Sequence, residues 1–374
     1  MKVIRILTCL LLLFGFFIIA INSCCPPFCP SPRPSPEQKA FYMTFAISDH
    51  KIQMNKSYDG TVWPDKIVVH DEKKIIKGPS IATNSNKMVA LAYITVGSEQ
   101  HLKDLVVKEN YFNPDSWQSG FANLAYMAID SNSSPAICHI KDRIYAVAYN
   151  SNRTIKVTSV KMDNPEDQRF SGSTIIWNSA PITGPPSMAF NGNKILLVWM
   201  NGKNTLEWSI HCATGYFQNN QLVWQNQWNG YDQITLNEQP RGSNLYDISL
   251  TWNGNNFLLV SSSIMTIAVG DERLTKTKVC VFKPSDGVEW RRFHIHDEPD
   301  PLGRFVTIAS ANNQPTILAI CPHGRSADSY GKICTGWNNV FPDQEESCTN
   351  WSRTFGHNGK LKTKASLTFR HFGN

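Results

Sequence analysis

One unit recurs along most of this chain: a tight polar turn, a strongly apolar run, a further short strand and then a tryptophan. The apolar runs are AFYMTFAIS from Ala40, KMVALAYIT from Lys87, RIYAVAYN from Arg143, KILLVWMN from Lys194, NFLLVSSS from Asn256 and PTILAI from Pro315. Every run except the first follows a polar turn such as Asn84-Ser85-Asn86, Lys141-Asp142, Asn191-Gly192-Asn193, Asn253-Gly254-Asn255 or Asn312-Asn313-Gln314. Asn, Asp and Gly tolerate the positive φ that hairpin turns require. A short strand precedes each of these turns: GPSIATN from Gly78, SPAICHI from Ser134, PPSMAFN from Pro185, LYDISLTWN from Leu245 and RFVTIAS from Arg304. The units close on Trp63, Trp117, Trp177, Trp224, Trp290 and Trp351, spaced 54, 60, 47, 66 and 61 residues apart, so no unit is doubled or skipped.

A period of that length is one four-stranded sheet, and sheets repeated in this way build a β-propeller. The two ends of the chain carry the same expectation. The run at Ala40 has no hairpin partner before it, whereas the C-terminal KTKASLTFRHF, Lys362 to Phe372, is a strand with nothing after it. A ring that closes by pairing the last strand beside the first leaves no blade with an open inner edge. The expected fold is all-β: a six-bladed β-propeller of four-stranded antiparallel blades over residues 39–374, closed by the C-terminal strand. Only 18 % of the residues are charged and 11 % are aromatic, which suits short strands joined by polar turns.

The first 23 residues have the form of a secretory signal. Lys2 and Arg5 precede an uncharged, largely apolar run from Ile6 to Ile21, and Asn22-Ser23-Cys24 follows. The run is short for a spanning helix, which needs about 20 apolar residues. Ile21-Asn22-Ser23-Cys24 resembles the bacterial lipobox, which implies cleavage before Cys24 and its lipidation, although Asn22 stands where a small or aliphatic residue is usual. An ordinary cleaved signal and an uncleaved anchor are the alternatives. Residues 24–38 hold CPPFCPSPRPSPE, which can form neither a helix nor a central strand and reads as an extended tether. A membrane contact through a lipid anchor is therefore expected. The net charge of +6 falls to +4 once Lys2 and Arg5 leave, too mild to argue for nucleic acid.

Ser57-Tyr58-Asp59-Gly60-Thr61-Val62-Trp63 resembles the Asp-box turn of the sialidase-like (BNR) propeller superfamily. Pro284-Ser285-Asp286-Gly287-Val288-Glu289-Trp290 keeps Asp, Gly and Trp of the same motif. The resemblance implies a structural turn between the third and fourth strands of a blade, built by Ser57, Asp59, Gly60 and Trp63 in one copy and by Asp286, Gly287 and Trp290 in the other. It implies sialidase chemistry only weakly, because that family's first catalytic arginine lies in an Arg-Ile-Pro motif and no such tripeptide occurs here. Fold alone never assigns an activity.

The remaining candidates are ligand groups rather than catalytic signatures. Arg241 and Arg304 stand just before inner strands, and Tyr246 and Asp247 follow Arg241. The polar loop PHGRSADSYGK supplies His323, Arg325, Asp328 and Tyr330. His294 and His296 share one face of a strand but are too few for zinc without further ligands, so no metal and no cofactor are expected. Cys334 and Cys348 flank a loop and form the candidate disulfide, while Cys138, Cys212, Cys280 and Cys321 read as buried thiols. Trp199, Trp208, Trp228, Trp252 and Trp337 serve either blade packing or stacking on sugars. Taken together, these features predict an exported, membrane-anchored, monomeric binding module with a glycan or other surface ligand. The alternatives are a divergent sialidase-like glycoside hydrolase using funnel carboxylates such as Asp247, and a structural scaffold of the cell envelope. An aromatic shelf would favour binding, and two carboxylates facing each other would favour hydrolysis.

Overall fold

The structure, a computed structural model, describes residues 40–60, 62–84, 88–97, 103–113, 117, 123–131, 133–151, 153–165, 168–177, 184–202, 208–225, 232–237, 244–269, 272–286, 289–298, 305–310, 316–321, 331–337, 353–355 and 365–369. The chain divides into Met1–Gln38 and Lys39–Asn374, and every described residue lies in the second unit.

That unit is all-β. Its strands, numbered in chain order, form five sheets. The first joins β1 (Phe41–Ser48), β2 (Lys51–Ser57) and β3 (Asp65–His70) to the C-terminal β25 (Ser366–Phe369), in the order β25-β1-β2-β3. The second is β4 (Ile75–Thr83), β5 (Met88–Val96), β6 (Lys103–Tyr111) and β7 (Asn123–Ile129). The third is β8 (Ala136–Lys141), β9 (Ile144–Ser151), β10 (Thr154–Lys161) and β11 (Thr174–Trp177). The fourth in chain order contains β12 (Ser187–Phe190), β13 (Lys194–Gly202), β14 (Trp208–Gln218), β15 (Gln221–Trp224), β16 (Asp232–Asn237), β17 (Asn244–Trp252), β18 (Phe257–Val269), β19 (Glu272–Asp286) and β20 (Glu289–Glu298). The last is β21 (Phe305–Ala309), β22 (Thr316–Cys321), β23 (Gly331–Trp337) and β24 (Arg353–Phe355).

The fold is a β-propeller of five blades, and the expectation of six is corrected. Two of the units counted by tryptophans belong to one nine-stranded sheet, because β16 hydrogen-bonds on both sides. It pairs antiparallel with β14, Ile210 opposite Ile234, and parallel with β20, Leu236 opposite Trp290. Tryptophan spacing counts sequence units, and it carries no information about a strand inserted between two of them. The two arms of this sheet fold against each other around one core that includes Val198, Ile210, Ile248, Leu259, Phe282 and Trp290.

The ring closes through the C-terminus. β25 lies antiparallel to β1 with Phe41 opposite Phe369 and Met43 opposite Leu367. Those strands pack against the last sheet through Phe41, Phe45, Ala309, Leu367 and Phe369. The second strand of each blade is sandwiched between neighbouring sheets, which is why it reads as an unbroken apolar run. Every residue of β5 from Met88 to Thr95 is buried, whereas the outer β7 alternates buried and exposed positions.

Candidate functional site

The innermost strands, β25, β4, β8, β12, β17 and β21, surround an axial cavity of about 610 Å³. This falls within the usual range of small-ligand pockets, about 300–1,000 Å³. The nine-stranded sheet contributes both of its end strands to this wall. One end of the cavity lies where the inner strands begin, at Pro79, Ser134, Pro135, Pro185 and Pro186. The other end lies at the hairpins, at Asp142, Asn191, Gly192 and Gly254.

A girdle of small polar residues lines the wall at one level: Ser80, Ser187, Ser249, Thr307 and Ser366, with Ala136 at the same level on β8. Most of these side chains clasp one inner strand to the next. Ser366 Oγ accepts the Ile81 N–H at 3.3 Å, and Ser80 Oγ accepts the Ile137 N–H at 3.3 Å. Ser187 Oγ accepts the Leu250 N–H at 2.8 Å, and Thr307 Oγ1 accepts the Leu367 N–H at 3.1 Å. Between β17 and β21 the clasp is displaced by two residues, and Asp247 Oδ2 accepts the Val306 N–H at 2.9 Å. Each bond satisfies a backbone donor that the antiparallel ladder of its own sheet leaves facing the neighbouring blade. The clasping Ser and Thr oxygens keep their own O–H to donate.

The hairpin end of the cavity is aromatic. Phe190 and Trp252 both line it, each half-buried with one side against a core cluster. Trp252 also contacts Phe257, ring centroids 4.9 Å apart. His139, Lys141, Asp142 and Asn191 share this end. The His139 Nε2 contacts the Asp142 carbonyl at 2.9 Å, which requires the proton on Nε2. Burial holds the His139 imidazole below its usual range, and the contacts with Asp142 counter this only in part. Burial likewise pushes the Cys138 thiol up, so this wall residue is an inert apolar group. Asp142 is the one carboxylate among the described residues of the lining.

The sequence candidates are dispersed by the structure. Asp247 is 0 % exposed and lies between β17 and β21, outside the cavity lining. Tyr246 is half-buried beside it. Arg241, Arg304, His323, Arg325, Asp328, Tyr330, Gly287, Cys24 and Cys348 lie outside the described residues. Cys334 lies on β23, and Asp286 ends β19. His294 and His296 lie on β20, and no cluster of three metal-ligating side chains exists among the described residues. Trp290 is buried in the core of the nine-stranded sheet.

Ser57, Asp59, Gly60 and Trp63 form one turn between β2 and β3. Asp59 Oδ1 accepts the Ser57 O–H at 3.0 Å and the Val62 N–H at 2.8 Å. Ser57 Oγ accepts the Gly60 N–H at 2.8 Å, and the Trp63 indole donates to the Gly60 carbonyl at 3.1 Å. Gly60 has φ 74°, where a side chain would be strained. All four residues are engaged in holding the turn itself.

Two phenol–carboxylate pairs, invisible in the sequence because their partners lie 22 and 36 residues apart, are built between blades. The Tyr93 hydroxyl donates to Asp71 Oδ2, which also receives Lys108 Nζ at 2.8 Å. The Tyr145 hydroxyl donates to Glu109 Oε1 at 2.7 Å, and Arg143 Nε donates to Glu109 Oε2 at 2.7 Å. Burial and the adjacent carboxylate raise both phenols well above their usual range. Neither tyrosine lines the cavity, and phenols so shifted are poor nucleophiles, so both pairs act as cross-links between sheets.

The chain matches no protein-family model and none of the curated proteins. Solved structures to which it is similar include an α-L-arabinofuranosidase from Lactobacillus brevis, 12% identical over 67% of this chain and 89% of that one, with a TM-score of 0.40. A second is the α-L-arabinofuranosidase of Podospora anserina in complex with cellotriose, 10% identical over 72% and 93%, with a TM-score of 0.38. A third is a subtype N11 neuraminidase-like protein of A/flat-faced bat/Peru/033/2010, 9% identical over 74% and 92%, with a TM-score of 0.35. At these values the likeness says nothing about the substrate of this chain.

Proposed function

We propose that this chain is an exported, membrane-anchored β-propeller that binds carbohydrate in its axial cavity without cleaving it. One observation carries the reading: the cavity combines a hydroxyl girdle with an aromatic mouth at Phe190 and Trp252. Sugars present apolar ring faces that stack on aromatic side chains and a rim of hydroxyls that exchange hydrogen bonds with Ser, Thr and Asn. Ser80, Ser187, Thr307 and Ser366 offer donors to such a ligand, and Asn191 at the mouth offers both a donor and an acceptor.

Glycoside hydrolysis runs on two carboxylates about 5–9.5 Å apart across the scissile bond. Asp247, the residue best placed by sequence to serve as one of them, is committed to the Val306 amide. The export and anchoring part of the reading rests on Lys2, Arg5, the apolar run Ile6 to Ile21 and the Pro-rich residues after Cys24.

A glycan array run beside a hydrolysis screen tests the proposal. Binding to a defined set of glycans is expected, weakened about five- to thirtyfold by Trp252→Ala, because a lost stacking face is worth on the order of 1–2 kcal/mol. Release of sugar from any bound glycan would overturn the non-catalytic reading, and unchanged binding by Trp252→Ala would remove the mouth from the site.

A further inference from the structure

The chain joins the propeller at Ala40, and the corner of the ring at that point carries an apolar surface that the axial cavity does not use. Tyr58, Val62 and Tyr111 are 41 %, 49 % and 53 % exposed. They sit at one end of their sheets: Phe41 pairs with Ser57, Lys56 with Tyr42, and Met88 with Tyr111. Tyr58 and the half-buried Phe112, next to Tyr111 in the chain, flank the same lysine. Lys56 Nζ lies 4.6 Å from the centre of the Tyr58 ring and 5.8 Å from that of Phe112, and Phe112 meets Tyr42 edge-on at 5.3 Å. Phe41 pairs with Ser57 and follows Ala40, so Tyr58 stands beside the first described residue of the propeller.

We infer that this corner rests on a lipid bilayer, with Tyr58, Val62 and Tyr111 in the headgroup region and Lys56 reaching toward lipid phosphates. The inference rests on the anchored reading given above. The occupant follows from what precedes Ala40: a 16-residue apolar run, Ile6 to Ile21, and then the fifteen residues Cys24 to Gln38. A spacer of that length spans at most about 45 Å in extended polyproline form, so an anchored chain holds this corner within reach of the surface at a local concentration on the order of millimolar. Tyrosine and lysine suit the bilayer interface, where an aromatic body faces the acyl boundary and a polar tip stays wet. The corner belongs to the β1 and β4 sheets, across the ring from β12 and β17. It lies at the hairpin end of the ring, the end that also carries the mouth at Phe190 and Trp252.

Hydroxyl-radical footprinting of the full chain in phosphatidylcholine–phosphatidylglycerol vesicles tests this without a substitution. Tyr126, 58 % exposed on the outer strand β7, is the internal reference. Tyr58 and Tyr111 are expected to oxidise several-fold more slowly on vesicles than in the vesicle-free chain, with Tyr126 unchanged. If the chain co-floats with vesicles and all three tyrosines oxidise alike, the bilayer contact is wrong while the anchor stands. If the chain does not co-float, the anchored reading fails and this contact with it. Protection that appears in the vesicle-free chain as its concentration rises assigns the corner to a second copy instead and overturns the proposal.

Discussion

The third sheet is held differently on its two sides. Toward β4–β7 it is cross-linked by polar groups: the Ser80–Ile137 clasp, the Glu109 carboxylate shared by Arg143 and Tyr145, and the Arg169 guanidinium bonded to the Leu124 carbonyl. Toward β12–β14 the contact is a core of Ala136, Ala146, Ala148, Ile155 and Val157 against Met188, Ile195, Leu197, Trp199 and Ala213. The β4–β7 side has an apolar core of its own, Ala90, Ile94 and Val107 against Ile137, Val147 and Val160, so the two sides differ in the bonds added to that area rather than in area itself. Bonds fix register and leave a large penalty when one partner is lost, whereas apolar area is forgiving in register and insensitive to salt. A closed ring needs both, since every seam must align for the last strand to meet the first.

The largest expected effect is on the polar side. Arg143→Ala leaves the fully buried Glu109 carboxylate without its cation and should cost about 3 kcal/mol, because an orphaned buried charge is far more expensive than the pair is valuable. Tyr145→Phe removes one hydrogen bond from the same carboxylate and should cost about 1 kcal/mol. Urea unfolding of both variants checks the ratio. Equal losses would mean that the ion pair is not the element holding this seam.

Acidification should weaken the apolar side first. Behind it, His211 stacks on Trp199, ring centroids 5.9 Å apart, and burial pushes its imidazole down to about 4. A histidine depressed in the folded state is protonated preferentially in the unfolded chain. Its stabilising share is therefore intact above about pH 6.5 and lost as pH falls toward 4. Asp71, at the seam between the first two blades, responds later. Burial alone would raise its carboxyl, but hydrogen bonds from Lys108, Tyr93 and the Lys73 amide hold it below the usual range. Its contribution is complete above the ordinary carboxylate pKa and disappears only as pH drops through the lowered one. Unfolding curves at pH 7 and pH 4.5 should thus differ strongly in the native chain and little in His211→Gln. If His211→Gln keeps the whole difference, this assignment of the acid sensitivity is wrong.

Asp247→Ala comes next in size. It leaves the Val306 amide without its acceptor between β17 and β21 and should cost about 2 kcal/mol, the range for a hydrogen bond to a charged group. Because Asp247 lies outside the cavity lining, glycan binding by the folded variant should be unchanged. A variant of normal stability that no longer binds would return Asp247 to the ligand site.

Much of this architecture is legible in the sequence, for identifiable reasons. Second strands announce themselves because burial on both faces forces continuous apolar runs, and hairpins do so because positive φ demands Asn, Asp or Gly; Asp142 and Gly192 both adopt it. Closure is legible because a strand without a partner at each end of the chain has one economical solution. The number of sheets is not, since DQITLN at β16 carries no sign that it will bond to two neighbours. Site residues are legible least of all. Asp247 reads as a funnel carboxylate because it follows an arginine at the start of an inner strand, but whether a side chain there faces the axis or the next blade depends on a bulge between Leu245 and Asp247 that no residue pattern reveals. Trp252 is one of several tryptophans with two uses in the sequence, and its place at the mouth follows only from the end of the strand that carries it.

The smallest effect is also the sharpest test of how the seams differ. At the level of the girdle, β8 presents Ala136 where its neighbours present Ser80 and Ser187, so it has no oxygen to offer β12. The clasp pattern places the missing bond at the Met188 amide: Ile81, Ile137 and Leu367, each one residue beyond a girdle position, receive the clasp from the preceding inner strand, and Met188 stands one residue beyond Ser187. Ala136→Ser adds a single oxygen at a position that borders the cavity on one side and the core toward β12–β14 on the other. If the seams are equivalent apart from this atom, the variant should gain about 1 kcal/mol and slow amide exchange at Met188 by roughly fivefold, the size of one ordinary hydrogen bond. If the apolar side instead spaces the two strands too widely for a clasp, the new hydroxyl stays in the cavity and exchange at Met188 does not change. That outcome would mean that area and bonding are alternatives at this seam rather than layers of the same one.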